Sequence, residues 1–146
     1  MKTLSKMLIF VTALTALPAL AQQAQEFGEY SVHYNALNSS LLTPEVAKAY
    51  GIRRSDSRAL VNISILKNAE NQATTAVKAN VTATGRNLTG QTRNIEMREI
   101  NDGDAIYYIG ELSVRNMETF SFTVNVMPEG QTRTFVVEFR QQFYTE

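Results

Sequence analysis

Past residue 29 the chain alternates apolar and polar side chains with a period of two, interrupted by turn-forming residues. Tyr30, Val32, Tyr34 and Ala36 alternate with Ser31, His33 and Asn35, which predicts a strand buried on one face. Ala59, Val61, Ile63 and Ile65 alternate with Leu60, Asn62, Ser64 and Leu66; apolar residues on both faces mark this second strand as central, and Asn68-Ala69-Glu70-Asn71 closes it. Val77, Ala79, Val81 and Ala83 predict a third strand with Lys78, Asn80, Thr82 and Thr84 outward, and Asn87-Leu88-Thr89 a bend between two glycines. Ile95 and Met97 predict a fourth, charged strand. Asn101-Asp102-Gly103-Asp104 is a hairpin turn. After it, Ile106, Tyr108, Leu112 and Val114 form one row and Tyr107 and Ile109 the other. Phe120, Phe122, Val124 and Val126, then Phe135, Val137, Phe139 and Phe143, supply the last two strands. This spacing predicts an all-β chain, an antiparallel immunoglobulin-like β-sandwich of about seven strands.

The period changes between Asn38 and Ser57. Thr43 is a helix N-cap, Pro44 suits the first helical position and Gly51 the stop. Glu45 to Tyr50 then makes about two turns, with Val46, Ala49 and Tyr50 on one side. The expected architecture is therefore a sandwich with one short helix in its first long connection. Long connections in compact domains carry function more often than short ones, and this one ends in Arg53-Arg54-Ser55-Asp56-Ser57-Arg58.

Residues 1–21 read as a signal peptide: Lys2 and Lys6, an apolar run from Met7 to Leu17, Pro18, and Ala19-Leu20-Ala21 as the cleavage site before Gln22. The run is too short to span a bilayer, and no Cys follows it to carry a lipid. Residues 22–146 are then one exported domain with no transmembrane segment. The chain carries 14 Lys+Arg against 14 Asp+Glu, so losing Lys2 and Lys6 leaves two more acidic than basic side chains. That balance argues against a nucleic-acid partner.

The 146 residues contain no Cys and a single His. Thiol nucleophiles, disulfides and Cys-ligated metals are excluded, as is a multi-His site within one chain. Export without disulfides fits a bacterial periplasm, and the sequons at Asn38, Asn62, Asn80 and Asn87 read as chance in an Asn/Thr-rich chain.

Several blocks carry a family likeness: Tyr30-Ser31-Val32-His33-Tyr34-Asn35-Ala36, Leu42-Thr43-Pro44-Glu45-Val46-Ala47, Tyr50-Gly51-Ile52, Ala59-Leu60-Val61-Asn62-Ile63-Ser64, Gly103 to Ile109 and Phe139-Arg140-Gln141-Gln142-Phe143-Tyr144. Together they resemble an uncharacterised family of small exported proteobacterial proteins catalogued as a domain of unknown function. The resemblance implies a periplasmic, immunoglobulin-like β protein of Gram-negative bacteria and brings no catalytic or binding residues with it. Gly103 to Ile109 is also similar to the tyrosine corner of antibody domains, with Tyr107 in the corner position; Gly103 stands there for Asp, and Ile109 for Cys.

No catalytic, cofactor or metal constellation emerges. His33 lacks a nucleophile and an orienting acid in its pattern. Glu99, Asp102 and Asp104 lack the spacing of a calcium loop. Ser39, Ser40, Ser55 and Ser57 stand outside any nucleophile motif. The remaining candidate is a contact surface of Leu41, Leu42, Tyr50, Arg53 and Arg54. Its arginines would pair with an anionic partner and Tyr50 would anchor it, although Leu41 and Leu42 equally suit a plug that seats the loop. The expected function is a non-catalytic interaction module for another envelope protein. The alternative is a small-ligand site walled by Tyr30, Tyr34, Tyr107 or Tyr108, and an enzyme using His33 or a carboxylate pair at a cleft ranks third. The final strand offers a further route: on a sheet edge it would pair with a partner strand, unless Arg133, Glu138 and Arg140 block it.

Overall fold

The computed structural model describes residues 23–70 and 74–146. The predicted signal peptide, its predicted cleavage site at Ala21 and Gln22, and Asn71 lie outside the described residues. In chain order the strands are β1 (Gln23–Phe27), β2 (Tyr30–Asn38), β3 (Arg58–Lys67), β4 (Thr75–Ala76), β5 (Ala79–Asn87), β6 (Thr92–Ile95), β7 (Arg98–Asp102), β8 (Ala105–Ser113), β9 (Glu118–Pro128) and β10 (Phe135–Phe143). A 3-10 turn (Ser39–Leu41) and helix α1 (Pro44–Tyr50) stand between β2 and β3. Two antiparallel sheets pack as a sandwich, one in the order β1-β2-β3-β8-β7 with β4 also on β3, the other β10-β9-β5-β6.

The alternating rows meet between the sheets. Val32, Val61, Ile63 and Ile65 of one sheet face Phe120, Phe122, Val124, Val126 and Val137 of the other, all buried. Asp102 pairs with Ala105 across a two-residue turn in which Gly103 takes a φ of 58°, the left-handed conformation such hairpins need.

The fourth predicted strand is broken in two. Its first half, β6, pairs with β5 in the smaller sheet, and its second half, β7, pairs with β8 in the larger. The crossing at Glu96 and Met97 runs directly over Gly110 of β8. A Cβ on Gly110 would lie 3.0 Å from the Glu96 carbonyl oxygen, 2.6 Å from Met97 Sδ and closer still to Ile95 Cγ2. The third predicted strand is likewise interrupted: Val77 and Lys78 fall between β4 and β5. Strand β1 carries no apolar alternation because it is an edge exposed over most of its length.

Gly110→Ala tests the crossing. Overpacking of this kind costs about 1–3 kcal/mol, so urea unfolding is expected to shift to a lower midpoint with an unchanged slope. Phe122→Ala in the buried row is expected to cost about 3–5 kcal/mol by the same measurement.

Candidate functional site: the strapped connection over the outer face

Strands β3 and β8 are apolar on their outer faces too. Leu60 and Ile109 point away from the sandwich, and α1 lies across them: Ala47, Ile52, Leu60 and Ile109 form a second buried cluster with Leu37, Leu42, Tyr50, Ile100 and Tyr107 against it. The helix ends are as the sequence predicts. Thr43 Oγ1 accepts from Val46 N at 3.3 Å, and Gly51 turns left-handed with a φ of 65°. Gly51 N then donates to Lys48 O and Ile52 N to Ala47 O, a Schellman closure that brings Ile52 back onto Ala47. The seated face differs from the expected one. Ala47 is buried with Tyr50 half-buried one turn on, whereas Val46 and Ala49 are exposed.

Polar contacts hold the rest of the connection. Ser39, fully buried, donates through Oγ to the carbonyls of Arg53 (2.8 Å) and Ser55 (3.1 Å) and accepts from Ser55 N (2.9 Å). Asn38 Nδ2 donates to Asp56 O and Tyr144 O, tying in the C-terminal end. Arg54 reaches back to the carbonyls of Leu42 (2.7 Å) and Ser40 (3.0 Å). Arg58 pairs with Glu111 at 3.6 Å. At the far end of α1, the Tyr50 hydroxyl donates to Asp102 Oδ2 at 2.9 Å, its ring lies 6.1 Å from Tyr107, and Arg98 donates to its carbonyl. Burial, reinforced by the Asp102 carboxylate, pushes the Tyr50 hydroxyl up to about 12.

The five predicted contact residues therefore separate by role. Leu42 and Tyr50 seat the connection, and Arg54 spends its side chain on the loop's own carbonyls rather than presenting it as an anion-pairing group. Leu41 stays 60% exposed, and Arg53 is exposed with no side-chain hydrogen bond or ion pair among the described residues. Val46, 37% exposed, joins them as an outward residue.

The four tyrosines of the predicted wall do not share one surface, and of them Tyr34 lines a cavity of about 110 Å³. Tyr30 and Tyr108 are buried between the sheets, Tyr34 lies there against Phe139 at 4.7 Å, and Tyr107 sits on the opposite face under α1. The antibody-like corner is also displaced by one residue. It is the Tyr108 hydroxyl that binds backbone, accepting from Ala79 N at 2.8 Å, and its own proton points to Glu99 Oε2 at 3.5 Å. Burial raises the pKa of this hydroxyl, with the Glu99 carboxylate adding to the rise and the Ala79 bond opposing it.

Glu99 faces Lys78 at 3.5 Å while Asp102 faces Tyr50 across the sheet, so the hairpin carboxylates do not converge. His33 Nε2 lies 3.4 Å from Ser31 Oγ. On the same outer face the cross-strand pair Asn35 and Asn62 has both side-chain oxygens buried, without a hydrogen-bond donor among the described residues. Asn62, and the buried Asn87 with its four hydrogen bonds, are poorly placed for a glycan.

Comparison with known proteins follows this geometry. A family model described as a domain of unknown function, DUF4426, matches residues 24–146. The crystal structure of a DUF4426 family protein from Pseudomonas aeruginosa PAO1 is similar at a TM-score of 0.73 and 31% identity, covering 86% of this chain and 96% of that one. A copper-bound variant of FetP from uropathogenic Escherichia coli strain F11 shares the fold at a TM-score of 0.61 and 12% identity, over 84% and 95% of the two chains. FetP as isolated after expression in the E. coli periplasm gives 0.58 and 12%, over 85% and 94%. No curated protein sequence matches.

Two measurements check the strapping. Ser39→Ala leaves buried groups unpaired and is expected to cost about 1–3 kcal/mol in urea unfolding. Tyr50 has a folded pKa above its unfolded value, so the stability it contributes is fully present below about pH 10 and lost as pH rises through about 12. Ultraviolet titration of the tyrosines is expected to show a late-ionising group that Tyr50→Phe removes.

Proposed function

The chain belongs to the DUF4426 family, and from that premise we propose that it is a non-catalytic binding module of the bacterial periplasm. Its contact surface is the strapped connection, presenting Leu41, Val46 and Arg53 to another envelope protein. One observation carries the reading: the segment is immobilised from beneath by Ser39, Arg54 and Tyr50, yet keeps two large apolar side chains outward. A loop ordered before binding loses little entropy on docking, so exposed apolar side chains on it convert more fully into affinity. The periplasmic location is supported by the signal-peptide pattern of residues 1–21 and by fold likeness to a protein produced in that compartment.

Binding rather than catalysis is supported by where the reactive groups are turned. Glu99 is committed to Lys78 and Tyr108, Asp102 to Tyr50, and Glu118 to Asn87 and Arg115 N. The copper carried by one FetP structure is a property of that protein, which shares the fold at 12% identity. Among the described residues of this chain no three His, Cys, Asp or Glu side chains converge.

A photo-crosslinking residue at Leu41, with one at exposed Thr82 as control, tests the surface in cells. The expected result is a discrete protein adduct from position 41 alone, weakened severalfold by Arg53→Glu. Identical adducts from both positions, or none from position 41, would remove the proposal's basis.

A further inference from the structure

Of the four sheet edges, β1, β6 and β7 are five residues or shorter, whereas β10 runs for nine. Its register with β9 is unbroken from Phe135↔Val126 to Phe143↔Glu118, and no proline interrupts it. Of the devices that ordinarily keep an edge from pairing, the one β10 carries is charge. Glu138 and Arg140 stand exposed on its outer face. Across β9 they meet Thr123 and Ser121, and neither has an ion-pair partner among the described residues.

Which strands these charges turn away depends on register. Residues opposite one another in an antiparallel pair share a face of the sheet, so two copies of β10 joined by a dyad are centred on a residue. Centred on Glu138 or on Arg140, they would set two carboxylates or two guanidinium groups directly against each other. Centred on Phe139, each Glu138 faces the Arg140 of the second copy. Phe139 is also the midpoint of the strand, so in that register all nine residues pair: Phe135 with Phe143, Val136 with Gln142, Val137 with Gln141. Phe139 itself lies on the inner face yet is only half-buried, and at the dyad it meets its own counterpart.

The larger sheet leaves room for this joint. Among the described residues β1 pairs with Tyr30 to Tyr34 of β2 and leaves Asn35 to Asn38 without a neighbour on that side. Phe27 stacks on Phe135 at 4.6 Å and Tyr34 packs on Phe139 at 4.7 Å, so β1 flanks the half of β10 from Phe135 to Phe139. A dyad at Phe139 exchanges the two halves of the strand, which puts the two β1 strands on opposite halves of the joint.

We propose that the free edge of β10 pairs with the same edge of a second copy about a dyad at Phe139, joining the two smaller sheets into one. A two-fold interface requires a patch complementary to itself, and Glu138-Phe139-Arg140 is such a patch. Backbone hydrogen bonds supply the attachment, and two symmetry-related Glu138–Arg140 pairs fix the register. The charges that oppose a shifted or unrelated strand thus admit this one.

Sedimentation equilibrium of the purified chain is expected to show a monomer–dimer equilibrium, and amide exchange along β10 is expected to slow as concentration rises. Glu138→Arg and Arg140→Glu each put like charges opposite one another at both symmetric positions. Each is expected to weaken dimerisation about tenfold or more, with the melting temperature of the dilute monomer unchanged because both side chains are exposed. Mixing the two single variants restores opposite charges at both positions, so a mixed dimer of near wild-type affinity is expected, as it is for the double variant alone. A wild-type chain that stays monomeric would overturn the proposal. So would single variants that dimerise as well as the wild type, a mixture that recovers no dimer, or protection that maps to another strand.

Discussion

Two neighbouring central strands that are apolar on both faces set the constraint from which the rest of this fold follows. Inward, β3 and β8 contribute Val61, Ile63 and Tyr108 to the sandwich; outward, they carry Leu60 and Ile109. Burying such a side chain is worth about 1.5–3 kcal/mol, so an open outer face would forfeit much of what these strands contribute. A sheet with one wet face needs no cover, but this one does. The long connection between β2 and β3 supplies it, because its two ends already lie on adjacent strands and its helix presents Ala47 and Ile52 at the right depth. A small residue at 47 is what lets the helix approach closely. Tyr50 then extends the contact to Tyr107 and the β7–β8 hairpin.

The same constraint shows which parts of the chain are readable in its sequence. The helix was legible because its signals are local: Thr43, Pro44 and Gly51 act through their own backbone. The rows of β2, β3, β8, β9 and β10 were legible because a half-buried strand repeats every two residues. The break at Glu96-Met97 was not, since its cause lies in Gly110, a residue distant in sequence whose missing side chain makes room for the crossing. Strand β1 escaped for the opposite reason: an exposed edge imposes no alternation. The seated face of the helix is not legible in its sequence, because a two-turn helix offers too few positions to fix its phase. Tertiary contact selected Ala47 over the bulkier Val46.

Residue type singles out Leu41, Leu42, Tyr50, Arg53 and Arg54 in the sequence, and the fold decides which of these side chains has a partner. A pattern of Arg, Tyr and Leu identifies a segment with recognition potential, while the partner of each side chain depends on where the loop closes. Arg54 illustrates this. Its planar fork suits a carboxylate, and in the folded chain it meets two carbonyls of its own loop. Those carbonyls belong to residues flanking the exposed Leu41, so the arginine's charge is converted into order at the apolar position. Arg53, one residue earlier, turns outward and keeps its charge for solvent or a partner.

That division bears on why an exposed leucine persists on a small β-sandwich domain. An isolated exposed leucine is unremarkable on a protein surface, but Leu41 stands on a segment fixed through a fully buried serine, an arginine fork and a tyrosine latch. Covering Leu60 and Ile109 requires α1; it does not require the Ser39 bonds or the Arg54 bonds, which act on the 39–42 turn ahead of the helix. The extra rigidity falls on the turn that carries the exposed Leu41 between buried Ser39 and half-buried Leu42. The order at this turn, which holds Leu41 outward, is the feature on which the proposed contact surface rests.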